Sequence, residues 1–162
     1  MAKKSMDKTN VMRLLEQKKI SYHAHTYPHG DGPVDGMTVA GLLGRDPDEI
    51  FKTLVARGAS KSVYVFVIPV HRELDLKKAA KAAGEKSIAM IHVTEITPLT
   101  GYVRGGCSPV GMKKQYPTLI DSACQALDTM IVSAGRIGYQ VELAPQALIE
   151  VTGAAIAELT TA

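Results

Sequence analysis

The sequence predicts an α/β protein of the α+β type, a mixed β-sheet covered by helices, on three observations. Two segments rich in β-branched and aromatic residues, FKTLVARG (51–58) and SVYVFVIPV (62–70), follow one another across the turn-like GASK, which is the pattern of a hairpin. ELDLKKAAKAAG (73–84) reads as a helix, with Asp75 as its cap and Gly84 as its stop. Strand candidates crowd the middle of the chain and helices flank them without regular alternation, which argues against a βαβ series.

The remaining elements follow in order. TNVMRLLEQKKI (9–20) is a helix that Thr9 caps, with Val11, Leu14 and Leu15 on one face. HGDGPVDG (29–36) holds three glycines and a proline in eight residues and is a loop. TVAGLLG (38–44) is a short helix opened by Thr38 and closed by Gly44, and RDPDEI (45–50) starts another, with Asp46 as cap and Pro47 in the first turn. SIAMI, TLIDS, TMIVS and YQVELA are short strands. PQALIEVTG (145–153) is a helix from Pro145 to Gly153, and AIAEL follows as a last strand. Internal repeats, low-complexity tracts and linkers are not visible, so 162 residues read as one domain, 1–162, large enough for an ordinary core.

Hydrophobic content of 46% with 22% charged residues is globular composition. A net charge of +3 and a pI near 8.8 fit an anionic partner without demanding one. The polar start MAKKSMDKTN lacks the apolar core of a signal peptide, and no apolar run approaches the ~18 residues of a membrane span. A cytoplasmic protein with no membrane association is expected. Two cysteines, Cys107 and Cys124, form neither a disulfide framework nor a metal motif by spacing.

Four candidate sites stand out. RGGCSPVGMKK (104–114) fails both the Walker and the dinucleotide fingerprints. Its adjacent glycines let backbone N–H groups approach a ligand oxygen and stabilise a carbonyl gaining charge; a plain turn or bulge is the equal alternative. Cys107 has no local histidine as a base, so packing outweighs nucleophilic attack. In HAHTYPH (23–29), His23 and His25 would share a strand face with His29 beyond, but a further ligand at recognisable spacing is missing, and no metal is expected. Lys52, on the strand side opposite Phe51 and Thr53, either binds a phosphate or orients a carbonyl, or protects a sheet edge. Lys77, Lys78, Lys81, Lys86, Lys113 and Lys114 form basic clusters, either for phosphates or as solvated faces.

HTY, FKTL, LDLKKAAKAAG, TGYVRGGCSPVGMKK, PTLID and IVSAGRIGYQVELAP, in that order and spacing, resemble the YbaK/EbsC family of aminoacyl-tRNA deacylases, relatives of the editing domain of bacterial prolyl-tRNA synthetases. The resemblance runs from about residue 8 to the C-terminus. It implies a mixed, twisted sheet with surrounding helices, and trans-editing: removal of a wrong amino acid, typically cysteine from tRNA(Pro), from the acceptor end of aminoacyl-tRNA. By position, Lys52 matches the family's essential lysine, and Tyr27, Thr53 and Ser133 match pocket residues. Gly105, Gly106, Ser108 and Gly111 match the glycine loop at the scissile carbonyl. The family has an aliphatic residue at Cys107, and in cysteine-specific members the substrate's own thiol attacks its carbonyl, giving a cyclic thioester and freeing the tRNA. Such a site needs no metal or cofactor. Two positions depart from the pattern: PHGDGPVDGM lacks the usual aromatic residue, and Gln140 stands where some relatives carry an acid. The alternatives are Ala-tRNA(Pro) clearance by a sister group, and a tRNA- or synthetase-binding module without turnover. Prolyl-tRNA synthetase is the implied source of tRNA selectivity.

Overall fold

The computed structural model describes residues 8–30 and 32–161; the first seven residues of the polar start, Asp31 of the glycine-rich loop, and Ala162 lie outside it. Eight strands and five α-helices follow in the order α1 (Asn10–Gln17), β1 (His23–Thr26), α2 (Gly36–Leu43), β2 (Phe51–Gly58), β3 (Val63–Pro69), α3 (Leu76–Ala83), β4 (Ile88–Met90), α4 (Ile96–Thr100), β5 (Thr118–Asp121), β6 (Met130–Ser133), β7 (Tyr139–Leu143), α5 (Pro145–Thr152) and β8 (Ala155–Ala157) among the described residues. The α+β class is as the sequence predicts, but the strands divide between two sheets. A five-stranded mixed sheet has the order β4-β2-β3-β5-β8, and a three-stranded antiparallel sheet has the order β1-β7-β6.

The anticipated hairpin is β2–β3, in register from Phe51 opposite Pro69 to Arg57 opposite Val63. Parallel pairings of β3 with β5 and of β5 with β8 make the sheet mixed. The two sheets meet where Ile50 bridges Ile131 in parallel, so β2 begins beside β6. A main core of Val11, Leu15, Phe51, Val67, Ile120, Val132 and Leu143 fills the space between the sheets and α1. A second cluster, built on Phe66, Ile68, Ala79 and Leu159, fixes α3 to the other face of the five-stranded sheet. The alternation of β3 explains this division: Val65 and Val67 go to one core, Phe66 and Ile68 to the other.

Local chemistry sets the helix ends. Thr9 Oγ1 accepts the amide of Met12 at 3.2 Å, and Asp75 accepts those of Lys77 and Lys78. Gly44, Gly84 and Gly153 close α2, α3 and α5 in the left-handed conformation. Thr38 does not open α2. Asp35 is its cap, and Thr38 donates to it through both its amide and its hydroxyl. The segment after Asp46 is a single 3-10 turn, Pro47–Glu49, because Ile50 already turns into the extended backbone that leads to β2.

Candidate active site

At the junction of the two sheets lies a cavity of about 130 Å³. Three consecutive residues at the start of β2, Phe51, Lys52 and Thr53, form one wall. The three-stranded sheet supplies Ser133 and Gln140, which stand directly opposite one another across the β6–β7 ladder. Tyr27, one residue beyond β1, Gly105 and Cys107 from the glycine loop, and Val34, Gly36 and Val39 of the segment into α2 complete the enclosure, with Val70 behind them. Six of the nine site residues read from the sequence, Tyr27, Lys52, Thr53, Gly105, Ser133 and Gln140, are thus gathered on one cavity. Gly106, Ser108 and Gly111 stand outside its lining.

These three residues shape the loop. The Gly106 amide donates to the carbonyl of Val103 at 3.0 Å, and a Cβ on Gly106 would lie 2.9 Å from the backbone carbon of Arg136. Ser108, fully buried, accepts the amide of Val110 on its hydroxyl. Gly111 has φ +73° and packs against Tyr102 and Leu14. Tyr102 spans the loop by donating from its hydroxyl to the Val110 carbonyl at 2.5 Å. Gly105 has φ +91°, and a Cβ there would meet Pro33 at 2.5 Å, so the glycine loop and the 29–36 loop close on each other only because this side chain is absent. Among the described residues, the amides of Gly105 and Cys107 have no hydrogen-bond acceptor.

The electrostatics are as informative as the shape. Partial burial lowers the Lys52 pKa, against a smaller opposing pull from Glu73. Among the described residues, Lys52 forms no ion pair. Two buried polar atoms, Thr53 Oγ1 and Gln140 Oε1, lack hydrogen-bond partners; both residues line the cavity. The Gln140 amide reaches Ser133 only at 3.4 Å. Unpartnered buried polar atoms cost about 1–3 kcal/mol each, and their concentration here marks a site built to receive polar groups from a ligand. Burial pushes the Cys107 thiol up to about 11, leaving it protonated near neutrality.

The histidines lie elsewhere. His25 and Arg45 both donate to Glu142, at 2.7 and 2.8 Å, and His29 bonds the Gly30 carbonyl. The described residues contain no group of three or more His, Cys, Asp or Glu able to hold a metal ion. Lys78 donates to the Thr160 carbonyl, Lys113 to that of Pro98, and Lys114 lies over the Tyr116 ring. Half of the basic clusters read from the sequence is therefore engaged locally. No described helix is long and apolar enough to cross a membrane.

Sequence reasoning did not list Val34, Gly36, Val39 or Val70 in the site. Val34, Gly36 and Val39 carried only the signal of lying in or just after the glycine-rich loop, and Val70 reaches the cavity through its tertiary contact with Gly36.

A family model described as the aminoacyl-tRNA editing domain matches residues 36–151, from the first residue of α2 into α5. The chain belongs to the aminoacyl-tRNA editing family. It is 46% identical over 159 residues, 98% of this chain and 97% of the other, to the Enterococcus faecalis protein named "Putative Cys-tRNA(Pro)/Cys-tRNA(Cys) deacylase EbsC". It is 30% identical over 103 residues to the proline–tRNA ligase of Staphylococcus aureus strain Newman, a match covering 64% of this chain and 18% of the ligase. A crystal structure titled as that of "a putative trans-editing enzyme for prolyl tRNA synthetase" superposes with TM-score 0.80 over 94% of this chain and 95% of that one, at 24% identity, and shares the fold. The YbaK/EbsC resemblance carried by FKTL and the glycine loop therefore holds, and with it the deacylase class of enzyme.

Proposed function

We propose that the chain, as a single editing domain over 1–162, clears cysteine from mischarged tRNA(Pro) in trans, with Cys-tRNA(Cys) as a further substrate. The supporting observation is the small cavity with two unpartnered polar atoms, Thr53 Oγ1 and Gln140 Oε1, beside Lys52. Its volume suits a side chain of cysteine size, and the Gln140 carbonyl is a buried acceptor suited to the α-amino group of the esterified amino acid. The name of the Enterococcus relative supports the choice of cysteine. The proposed setting is the cytoplasm, where tRNA is charged.

In this reading the protein contributes position and charge, and the substrate contributes the nucleophile. The substrate thiolate attacks its own ester carbonyl. The new S–C bond closes a cyclic thioester, the ester C–O bond breaks, and the thiol's proton ends on the terminal ribose hydroxyl of the freed tRNA. The amides of Gly105 and Cys107 are the donors for the carbonyl oxygen as it gains charge. Gly106 holds the loop, since its own amide is spent on Val103. Lys52 sits by the terminal ribose or its phosphate, where partial burial strengthens its field. Thr53 and Ser133 orient the aminoacyl group, and Tyr27 closes the cavity over it. Ser108 and Gly111 act through the loop's conformation. Selectivity between cysteine and alanine then follows from chemistry more than fit, because a methyl group cannot attack. Prolyl-tRNA synthetase is the proposed partner that selects the tRNA.

The test is hydrolysis of Cys-tRNA(Pro) and Ala-tRNA(Pro) side by side by wild type and Lys52→Ala. Loss of cysteine alone, abolished in the variant, is the expected result. Clearance of alanine would move the chain to the sister specificity, and clearance of neither would leave a binding module.

A further inference from the structure

The cavity that suits the amino acid has no room for the rest of the substrate. At about 130 Å³ it lies well below the ~300 Å³ at which small-molecule sites begin, and a purine nucleoside must lie outside it. A second depression of about 370 Å³ adjoins it. Thr53, Gly105 and Cys107 line both, so the two depressions share a wall. The floor of the second part is apolar, built from β2, β4 and the turn into α4, and includes Met90 and Val93. Those side chains are 45% and 56% exposed. Large apolar groups exposed together beside a reaction cavity are an unpartnered binding surface. Arg104 borders the same depression. It is exposed and makes no ion pair among the described residues.

We infer that this depression is the nucleoside subsite: the terminal adenosine of the aminoacyl-tRNA lays its base on Met90 and Val93, and Arg104 holds the adjoining phosphate. The inference rests on the deacylase reading, because the group ester-linked to an amino acid in the cavity is the 3′-terminal adenosine. A purine face is flat, apolar and polarisable, and a flexible thioether beside a branched aliphatic side chain fits it without demanding one geometry. A free guanidinium suits a phosphate, which it can bind bidentately. A protein partner would account for exposed apolar side chains equally well, but not for a wall shared with the reaction cavity.

Adenosine 5′-monophosphate is the binding probe, read through the methyl resonance of Met90. The expected result is a shift of that resonance in wild type that is lost in Val93→Asp. Met90→Asp and Val93→Asp, both at exposed positions, should raise KM for Cys-tRNA(Pro) about tenfold with kcat little changed, the signature of lost uniform binding. Arg104→Ala should raise KM as well. An unchanged KM in both aspartate variants, with wild type active, overturns the subsite and leaves the deacylase reading intact. A KM effect seen only when prolyl-tRNA synthetase is present overturns it too and makes the depression a protein-docking face. If wild type clears no aminoacyl-tRNA the deacylase reading fails, and the Met90 shift then decides: present in wild type and lost in Val93→Asp, it keeps the nucleoside site, and absent, it removes it.

Discussion

Lys52 and Cys107 line the same cavity, and burial disfavours the charged form of both, raising the thiol and lowering the lysine. The thiol is raised to about 11 by desolvation, with only a weak opposing hydrogen bond from Thr100, so it stays neutral at working pH. Lys52, whose pKa burial lowers, stands in the same lining without an ion pair among the described residues. A protonated thiol with no base beside it is a poor nucleophile. Cys107→Ser should therefore keep kcat/KM for Cys-tRNA(Pro) within about threefold of wild type, against losses of several orders of magnitude when an attacking group is removed. The rate should show no inflection from Cys107 between pH 6 and 9. A collapse of turnover in the serine variant would reassign Cys107 as the attacking group.

At the scale of elements, β1 and β7 are joined by more than their ladder. Glu142 accepts from both terminal nitrogens of Arg45 at 2.8 Å, from His25 at 2.7 Å and from the Thr129 hydroxyl. It thereby ties β7 to β1, to the segment after α2 and to the approach to β6. Tyr27 follows β1 and Gln140 lies on β7, so the cluster sets the spacing of two cavity residues. Arg45 above all, then Thr129 and His25, hold the Glu142 carboxyl well below the ordinary carboxylate range. A depressed carboxylate stabilises the fold fully above its ordinary value of 4.5 and loses that contribution as pH falls toward the lowered one. Glu142→Gln should cost about 3 kcal/mol at pH 7, the low end for breaking a largely buried pair because Arg45 keeps Glu49. That is roughly 5–10 °C in Tm, and thermal melts should show the gap narrowing below pH 4.5. A pH-independent gap would mean the loss is packing and not charge. The elements that sequence pattern revealed are those with local punctuation: Thr9 and Asp75 as caps, Gly84 and Gly153 as stops. The helix α4 went unseen because five residues around Pro98 carry no periodicity. Thr38 reads as a cap because Thr and Asp both serve as caps, and only the direction of the bond, into Asp35, tells them apart.

For the molecule as a whole, the site exists because two sheets meet at Ile50 and Ile131, and local pattern does not disclose which strands become neighbours. Lys52 was legible as a lone cation on an apolar strand. Ser133 and Gln140 entered through family motifs, and their pairing across β6–β7 becomes visible only with the register. The glycine loop was legible as a close approach of backbone, but what it approaches, Pro33 and the Arg136 backbone, is a tertiary fact. Charge is the whole-molecule property with a direct functional consequence. The chain carries only +3, Lys8 is paired with Glu16, and Lys78 and Lys113 are held by local carbonyls. Of the rest, few border the cavity and its neighbouring depressions: Lys52 on the cavity wall, Arg104 at the adjoining depression, and Arg13 and Arg136 at one beside Gly101 and Tyr102. With about two or three phosphates neutralised, the affinity for Cys-tRNA(Pro) should fall roughly ten- to fortyfold between 50 and 200 mM salt, far less than for a protein that tracks a whole stem. KM measured across that range checks this, with kcat as the control for any effect of salt on the chemistry. Adding prolyl-tRNA synthetase, the proposed partner, should steepen the dependence, because its own contacts to the tRNA body release further counterions. A steep slope without the synthetase, equal to that of a protein making six or more phosphate contacts, would mean that this small domain reads the stem by itself and needs no partner for affinity.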